Sequence, residues 1–245
     1  MKIGIKVGFI ALTLLVTAVL LVLYLFYRDT EDPYVQACDF SVPAEVIPMF
    51  IPGQVDFQHK FNEDKSLPMM ASALIDVDSD GIDELFVGGG NNQPDALFQY
   101  SNGVFVNVAT TVFTDNKGDD PSLGSASADM DNDGSQDLVI CRTSGVYLYL
   151  NKNGTFTGTR LSIPLNEKST PVSISLGDVN KDGWLDMFVA GYIKKEQMEG
   201  QTIFNDPNYG ATSLLMINNG NNTFKDNTSP FGLDYVHNTF QGVLI

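Results

Sequence analysis

Three short stretches of this chain place oxygen-bearing side chains at alternate residues and then turn on a glycine. They are Asp76-Val-Asp-Ser-Asp-Gly-Ile-Asp-Glu84, Asp129-Met-Asp-Asn-Asp-Gly-Ser-Gln-Asp137 and Asp178-Val-Asn-Lys-Asp-Gly-Trp-Leu-Asp186. All fit the pattern D-x-[DN]-x-D-G-x-x-[DE], and the chemistry that needs such spacing is capture of a hard cation. Calcium takes six to eight oxygens at about 2.3–2.6 Å, which a tight loop supplies from alternate residues. Side-chain ligands are expected at positions 1, 3, 5 and 9: Asp76, Asp78, Asp80 and Glu84; Asp129, Asp131, Asp133 and Asp137; Asp178, Asn180, Asp182 and Asp186. Glycine at position 6 (Gly81, Gly134, Gly183) permits the sharp turn. At position 7, Ile82, Ser135 and Trp184 share only a backbone, so the expected ligand there is the carbonyl. About three Ca2+ sites follow.

An EF-hand loop begins the same way but requires a bidentate Glu at position 12 and then a helix. Position 12 here is Val87, Ile140 and Val189, inside the apolar runs Leu85-Phe-Val87, Leu138-Val-Ile140 and Met187-Phe-Val189. These read as loops between strands. A single copy would read equally well as a solvated turn, but three copies in register about 50 residues apart make an internal repeat of propeller-blade length.

The surrounding sequence repeats too. Small residues precede each loop, as in Ala71-Ser-Ala73, Ser125-Ala-Ser-Ala128 and Ser173-Ile-Ser175, which suits strands crowded near a central axis. Asn-Gly hairpin signals follow in Phe98-Gln-Tyr-Ser-Asn-Gly-Val-Phe105 and Tyr149-Leu-Asn-Lys-Asn-Gly-Thr-Phe156. The third hairpin, Met216-Ile-Asn-Asn-Gly-Asn-Asn-Thr-Phe224, is delayed by an insertion from Tyr192 to Ala211. Each repeat reads as strand, cation loop, strand, strand, hairpin, strand.

From about Ser72 to the end, these features resemble the FG-GAP/VCBS-type repeats of integrin α-chain propellers and their bacterial relatives. The resemblance implies four-stranded blades, with calcium held between the first two strands of each on one face of a propeller, and it places the same side chains as ligands. Glu84 departs from the usual aspartate, and its longer arm is expected to shift the coordination. Phe86-Val-Gly-Gly-Gly90 also lacks the Gly-Ala-Pro of the eukaryotic motif, so integrin ligand specificity does not carry over.

The elements that must present these loops follow from the rest of the chain. Val7 to Phe26 is broken only by Thr13 and Thr17, and at a rise of about 1.5 Å per residue it matches a hydrocarbon core of about 30 Å. Lys2 and Lys6 precede it, while Asp29, Glu31 and Asp32 accompany Arg28 after it, so the N-terminus is expected in the cytoplasm. A cleaved signal peptide is the alternative, although no small-x-small site follows before Tyr34; a lipoprotein site at Ala37-Cys38 sits too far from the apolar run. The expected architecture is an all-β, partial β-propeller of four-stranded blades behind an N-terminal transmembrane helix, with about three blades plus the start of a fourth. Residues 1–28 form the cytoplasmic stub and signal-anchor, 29–68 a linker and possible leading strand, and 69–245 the repeats, with blades at about 69–110, 121–160 and 170–227 and a partial one at 238–245. The final Phe240-Gln-Gly-Val-Leu-Ile245 resembles Ala71-Ser-Ala-Leu-Ile75, so a further loop is expected immediately beyond Ile245.

The expected product is a single-pass membrane protein whose repeat domain is periplasmic or extracellular. Cys38 and Cys141 could pair there, although Cys141 follows an apolar run and reads better as a buried strand thiol. A formal charge of −16 in a chain that is 43% hydrophobic excludes disorder and nucleic-acid binding as readings. His59 and His237 lack partner motifs, and no G-x-S-x-G, H-E-x-x-H or C-x-x-C occurs. An adhesion or ligand-recognition scaffold for an extracytoplasmic protein or glycan is expected, not an enzyme. The alternative is the propeller domain of a polysaccharide- or lipid-acting hydrolase or lyase. The insertion, with Lys194, Lys195 and Tyr209, is the candidate recognition loop.

Overall fold

The computed structural model describes residues 16–21, 53–62, 67–116, 118–197 and 210–234. The chain divides into two compact units, Met1–Pro52 and Gly53–Ile245. In the first, residues 16–21 are helical. Among the described residues no helix is long and apolar enough to cross a membrane. The remainder of the apolar run, residues 29–52 (with Cys38) and 63–66 of the linker, residues 198–209 of the insertion, His237 and the segment 238–245 lie outside the described residues.

The second unit is all-β and propeller-like, built from three four-stranded antiparallel sheets with strands in sequence order. The first blade holds β1 (Ser72–Ile75), β2 (Glu84–Val87), β3 (Ala96–Ser101) and β4 (Val104–Asn107). The second holds β5 (Ser122–Ala128), β6 (Asp137–Arg142), β7 (Gly145–Asn151) and β8 (Phe156–Arg160). The third holds β9 (Ser169–Gly177), β10 (Asp186–Ile193), β11 (Leu214–Asn218) and β12 (Phe224–Asp226). In each blade the acidic stretch joins the first strand to the second.

Neighbouring blades meet through their first strands, β1 beside β5 and β5 beside β9. Small residues at this seam, on β5 and just after β2, are a steric requirement. A Cβ on Gly124 would lie 2.3 Å from the Val172 carbonyl oxygen, and one on Gly88 would lie 2.7 Å from Ser122 Cβ. The first hairpin closes Tyr100 against Phe105 with Asn102 and Gly103 both left-handed (φ 52° and 86°), the twist that suits a two-residue turn.

Apolar residues interleave between blades. Ile75, Phe86 and Leu97 of the first pack with Leu138, Ile140 and Phe156 of the second, all fully buried. A second cluster joins Val139, Cys141 and Leu148 to Met187, Val189 and Met216. Cys141 is a buried thiol whose ionisation burial opposes strongly. At the far end of β6 from the acidic loop, Arg142 reaches across to Asp95 of the first blade at 2.7 Å, with both side chains buried. Asp95 also accepts from Gly89 N–H (2.7 Å) and the Ser122 hydroxyl (2.8 Å), and Arg142 also donates to the Tyr149 hydroxyl (3.1 Å), further hydrogen bonds of the kind that make a buried ion pair tolerable.

Candidate metal centres

The three loops share one hydrogen-bonded skeleton. Position 1 turns both carboxylate oxygens back on the loop: Asp76, Asp129 and Asp178 each accept the N–H of position 5 at 3.1 Å. They also accept the glycine N–H of position 6 at 3.0, 2.8 and 2.9 Å. Position 5 then accepts the N–H of position 7: Asp80 from Ile82 at 2.8 Å, Asp133 from Ser135 at 2.9 Å, Asp182 from Trp184 at 2.9 Å. This winding demands left-handed backbone at position 4 as well as at the glycine, with Ser79, Asn132 and Lys181 at φ 61°, 56° and 62°.

Position 9 opens the second strand and is buried in all three blades: Glu84, Asp137 and Asp186. One oxygen of each accepts the N–H of position 2, from Val77 (3.0 Å), Met130 (2.9 Å) and Val179 (2.9 Å). The other oxygen of Asp137 accepts Asn151 N–H (2.8 Å), and that of Asp186 accepts Asn218 N–H (2.9 Å). Glu84 differs at this second oxygen. Its extra methylene carries Oε1 to the side-chain amide of Gln99 at 3.3 Å.

Carboxylate oxygens of Asp76, Asp78 and Glu84 lie within 4.8 Å of one another, and so do those of Asp129, Asp131 and Asp137. Two oxygens bound to one calcium ion sit at most about 5 Å apart, so both triads have the span of a coordination shell. In the first two loops positions 1, 3 and 9 thus converge, whereas Asp80 and Asp133 stand outside these groups, and among the described residues Asp178, Asp182 and Asp186 of the third loop form no such group. In the third loop Asn180 replaces a carboxylate at position 3, and its amide donates to Asp182 Oδ2 at 2.8 Å. Ile82, Ser135 and Trp184 stand at position 7 of each turn, contributing backbone to it.

The donor set suits a hard cation, being all oxygen and mostly anionic. An independent mark is Asp131 Oδ1, which is buried and accepts no hydrogen bond among the described residues. A carboxylate oxygen left bare beside two other carboxylates is costly unless a positive charge completes its environment. Desolvation pushes Asp137 up to about 6, with Asp131 and Asp133 adding repulsion. Burial likewise raises Glu84 and Asp186 above the ordinary carboxylate range.

Besides Gln99, three residues that the motif does not contain also enter these sites. Lys152, in the β7–β8 hairpin, brings its ammonium to Asp131 Oδ2 at 2.8 Å and to Asp133 Oδ2. Those hydrogen bonds raise the lysine's proton affinity and hold Asp133 below the carboxylate range. Asn151 and Asn218 end the third strands of their blades. A charged residue beside a hairpin Asn-Gly is a weak signal, and the insertion masks the equivalence of the two asparagines.

A family model described as FG-GAP-like repeat matches residues 76–140 and 129–189, each span running from one acidic loop through the strand that follows the next. Among curated proteins none matches the chain. A solved structure of an Agrocybe aegerita lectin, described as recognising non-reducing terminal N-acetylglucosamine, is similar at 20% identity and a TM-score of 0.40. That similarity covers 64% of this chain, which spans 36% of the length of the other. Three loops built on one skeleton accompany two overlapping matches, which support the FG-GAP-like repeat family for residues 76–189.

Proposed function

We propose that this chain is a calcium-stabilised, propeller-like recognition scaffold, held outside the cytoplasm by its N-terminal apolar segment and acting by binding, not catalysis. The observation that carries the metal reading is the convergence of Asp129, Asp131 and Asp137 around a buried, unpartnered carboxylate oxygen. Asp76, Asp78 and Glu84 would hold a second ion, and Asp178, Asn180, Asp182 and Asp186 a third. Bound calcium would neutralise the carboxylate clusters and fix each turn between its two strands. The remaining surface would then present loops to a protein or glycan, with the insertion after Tyr192 as the leading candidate. Support for display on a membrane comes from the twenty-residue run Val7–Phe26 and its flanking charges.

The test is thermal unfolding of the region after Tyr34 in calcium and in chelator. An ion bound only by the folded state stabilises it by about 2.7 kcal/mol per site at a hundredfold excess over its dissociation constant. Extracellular modules of this kind bind at about 10⁻⁴–10⁻³ M, so several millimolar calcium gives part of that effect. A melting temperature indifferent to chelator would reject the reading.

A further inference from the structure

We infer that the three loops are wired in series, so that filling one raises the cation affinity of the next; this rests on the cation-binding reading above. The position-9 carboxylate holds residue 2 of its own loop by the N–H, as described. The carbonyl of that same residue is held from the next blade: Val77 O accepts Asn151 Nδ2 at 2.8 Å, and Met130 O accepts Asn218 Nδ2 at 3.5 Å. Asn151 and Asn218 give their own N–H groups to the next position-9 carboxylates, Asp137 and Asp186, at 2.8 and 2.9 Å. Glu84, Val77, Asn151, Asp137, Met130, Asn218 and Asp186 therefore form one continuous path from the first loop to the third.

Two further bonds join the same neighbours. Asp76 N–H donates to Gln136 Oε1 at 3.2 Å, and Asn132 Nδ2 donates to the Gly183 carbonyl at 3.0 Å. Gln136 and Asn132 both belong to the second loop, which thus touches the first and the third. The relay has a defined start. Register places Phe98, Tyr149 and Met216 opposite Leu85, Leu138 and Met187, so Tyr100 stands where Asn151 and Asn218 stand in later blades.

The physical basis is shared ordering. Without a cation, the clustered carboxylates of each loop repel, and the loop gains freedom. Fixing the second loop fixes Met130, which through Asn218 pre-orders Asp186, so part of the third loop's ordering is done before its own ion arrives. The coupling is reciprocal by linkage. Asn151, Asn218 and Met130 are buried, so water does not readily substitute for the relay.

Trp184 is the sole tryptophan and sits at position 7 of the third loop, where the others have Ile82 and Ser135. Tryptophan-sensitised terbium luminescence therefore reports chiefly on the third loop, with terbium standing in for calcium. Asp131→Ala disables the second loop without touching the relay. It is expected to weaken terbium binding at Trp184 by roughly threefold to tenfold, the range one net hydrogen bond spans. Asn218→Ala should produce the same weakening with the second loop intact, and adding Asp131→Ala to it should change little more. Tyr100→Ala should leave the third-loop midpoint alone. If Asn218→Ala does not fold, Asn132→Ala, on the exposed face, should recover part of the shift. Equal midpoints in the parent and in Asp131→Ala overturn the coupling, whereas absence of sensitised emission in the parent overturns the cation reading of the third loop, and with it the series.

Discussion

The second and third loops have the same skeleton and different charge. In both, position 1 accepts from positions 5 and 6, position 5 accepts from position 7, and a buried position-9 aspartate bridges its loop to the end of the third strand. At position 3, however, Asp131 leaves one oxygen bare and gives the other to Lys152, whereas Asn180 uses its own amide to close on Asp182. One loop relieves its carboxylates with a tethered ammonium and the other by carrying one carboxylate fewer. The contrast separates two properties that the motif merges. Backbone form depends on positions 1, 5, 6 and 9, and under the proposed cation reading affinity would be tuned by position 3 and by side chains reaching in from the hairpin.

If form is shared, Asp137→Ala and Asp186→Ala should have similar and large effects, because each strands two backbone N–H groups in a buried setting. A loss of about 2–6 kcal/mol is expected for either, at about 1–3 kcal/mol per unsatisfied donor, measured by urea unfolding in chelator. A large loss at one and a negligible loss at the other would break the comparison. Asn180→Asp should come next, raising third-loop calcium affinity by on the order of tenfold, since ligand charge count sets affinity in such loops. It should leave the second loop unaltered in calorimetry apart from the coupling between them.

Lys152→Met should act in the opposite place and more weakly. With the ammonium gone, calcium no longer competes with a cation already at Asp131 and Asp133, and second-loop affinity should rise about twofold to fivefold, as suits a largely exposed ion pair. The smallest expected effect is that of pH. Asp137 holds its proton more tightly folded than unfolded, so its contribution to the stability of cation-free protein is full below the ordinary carboxylate value near 4 and is lost as pH rises through about 6. Calcium competes for the same carboxylate, so second-loop affinity should fall as pH drops through that window. Calcium titrations at pH 7 and pH 5, beside melting curves in chelator, check both signs.

The periodicity of the acidic loops, the β-runs after them and the Asn-Gly turns made the repeat and the strand order readable from residue spacing, but not which of the acidic positions draw together, since Asp80, Asp133 and the third loop stand outside the two carboxylate groups. Local chemistry dictates those features, since a turn that reverses on glycine and feeds an apolar strand has few alternatives. Position 4 was not legible because serine, asparagine and lysine share no side-chain property; only the backbone reveals their left-handed φ. Lys152, Asn151 and Asn218 were hidden for a different reason. Their importance comes from tertiary proximity, with Asn151 meeting Val77 across 74 residues. Glu84 was legible as a departure, but its outcome, a reach to Gln99 in place of a backbone N–H, depended on which side chain the third strand offered.

The most direct measurement is equilibrium dialysis of the repeat domain against calcium at millimolar concentrations, counting ions per chain. Three bound ions are expected, about one fewer in Asp131→Ala, with the other loops still able to bind. No bound calcium in folded protein at several millimolar would contradict the cation-loop reading, and an unchanged count in Asp131→Ala would show that the second loop's ligands have been misassigned.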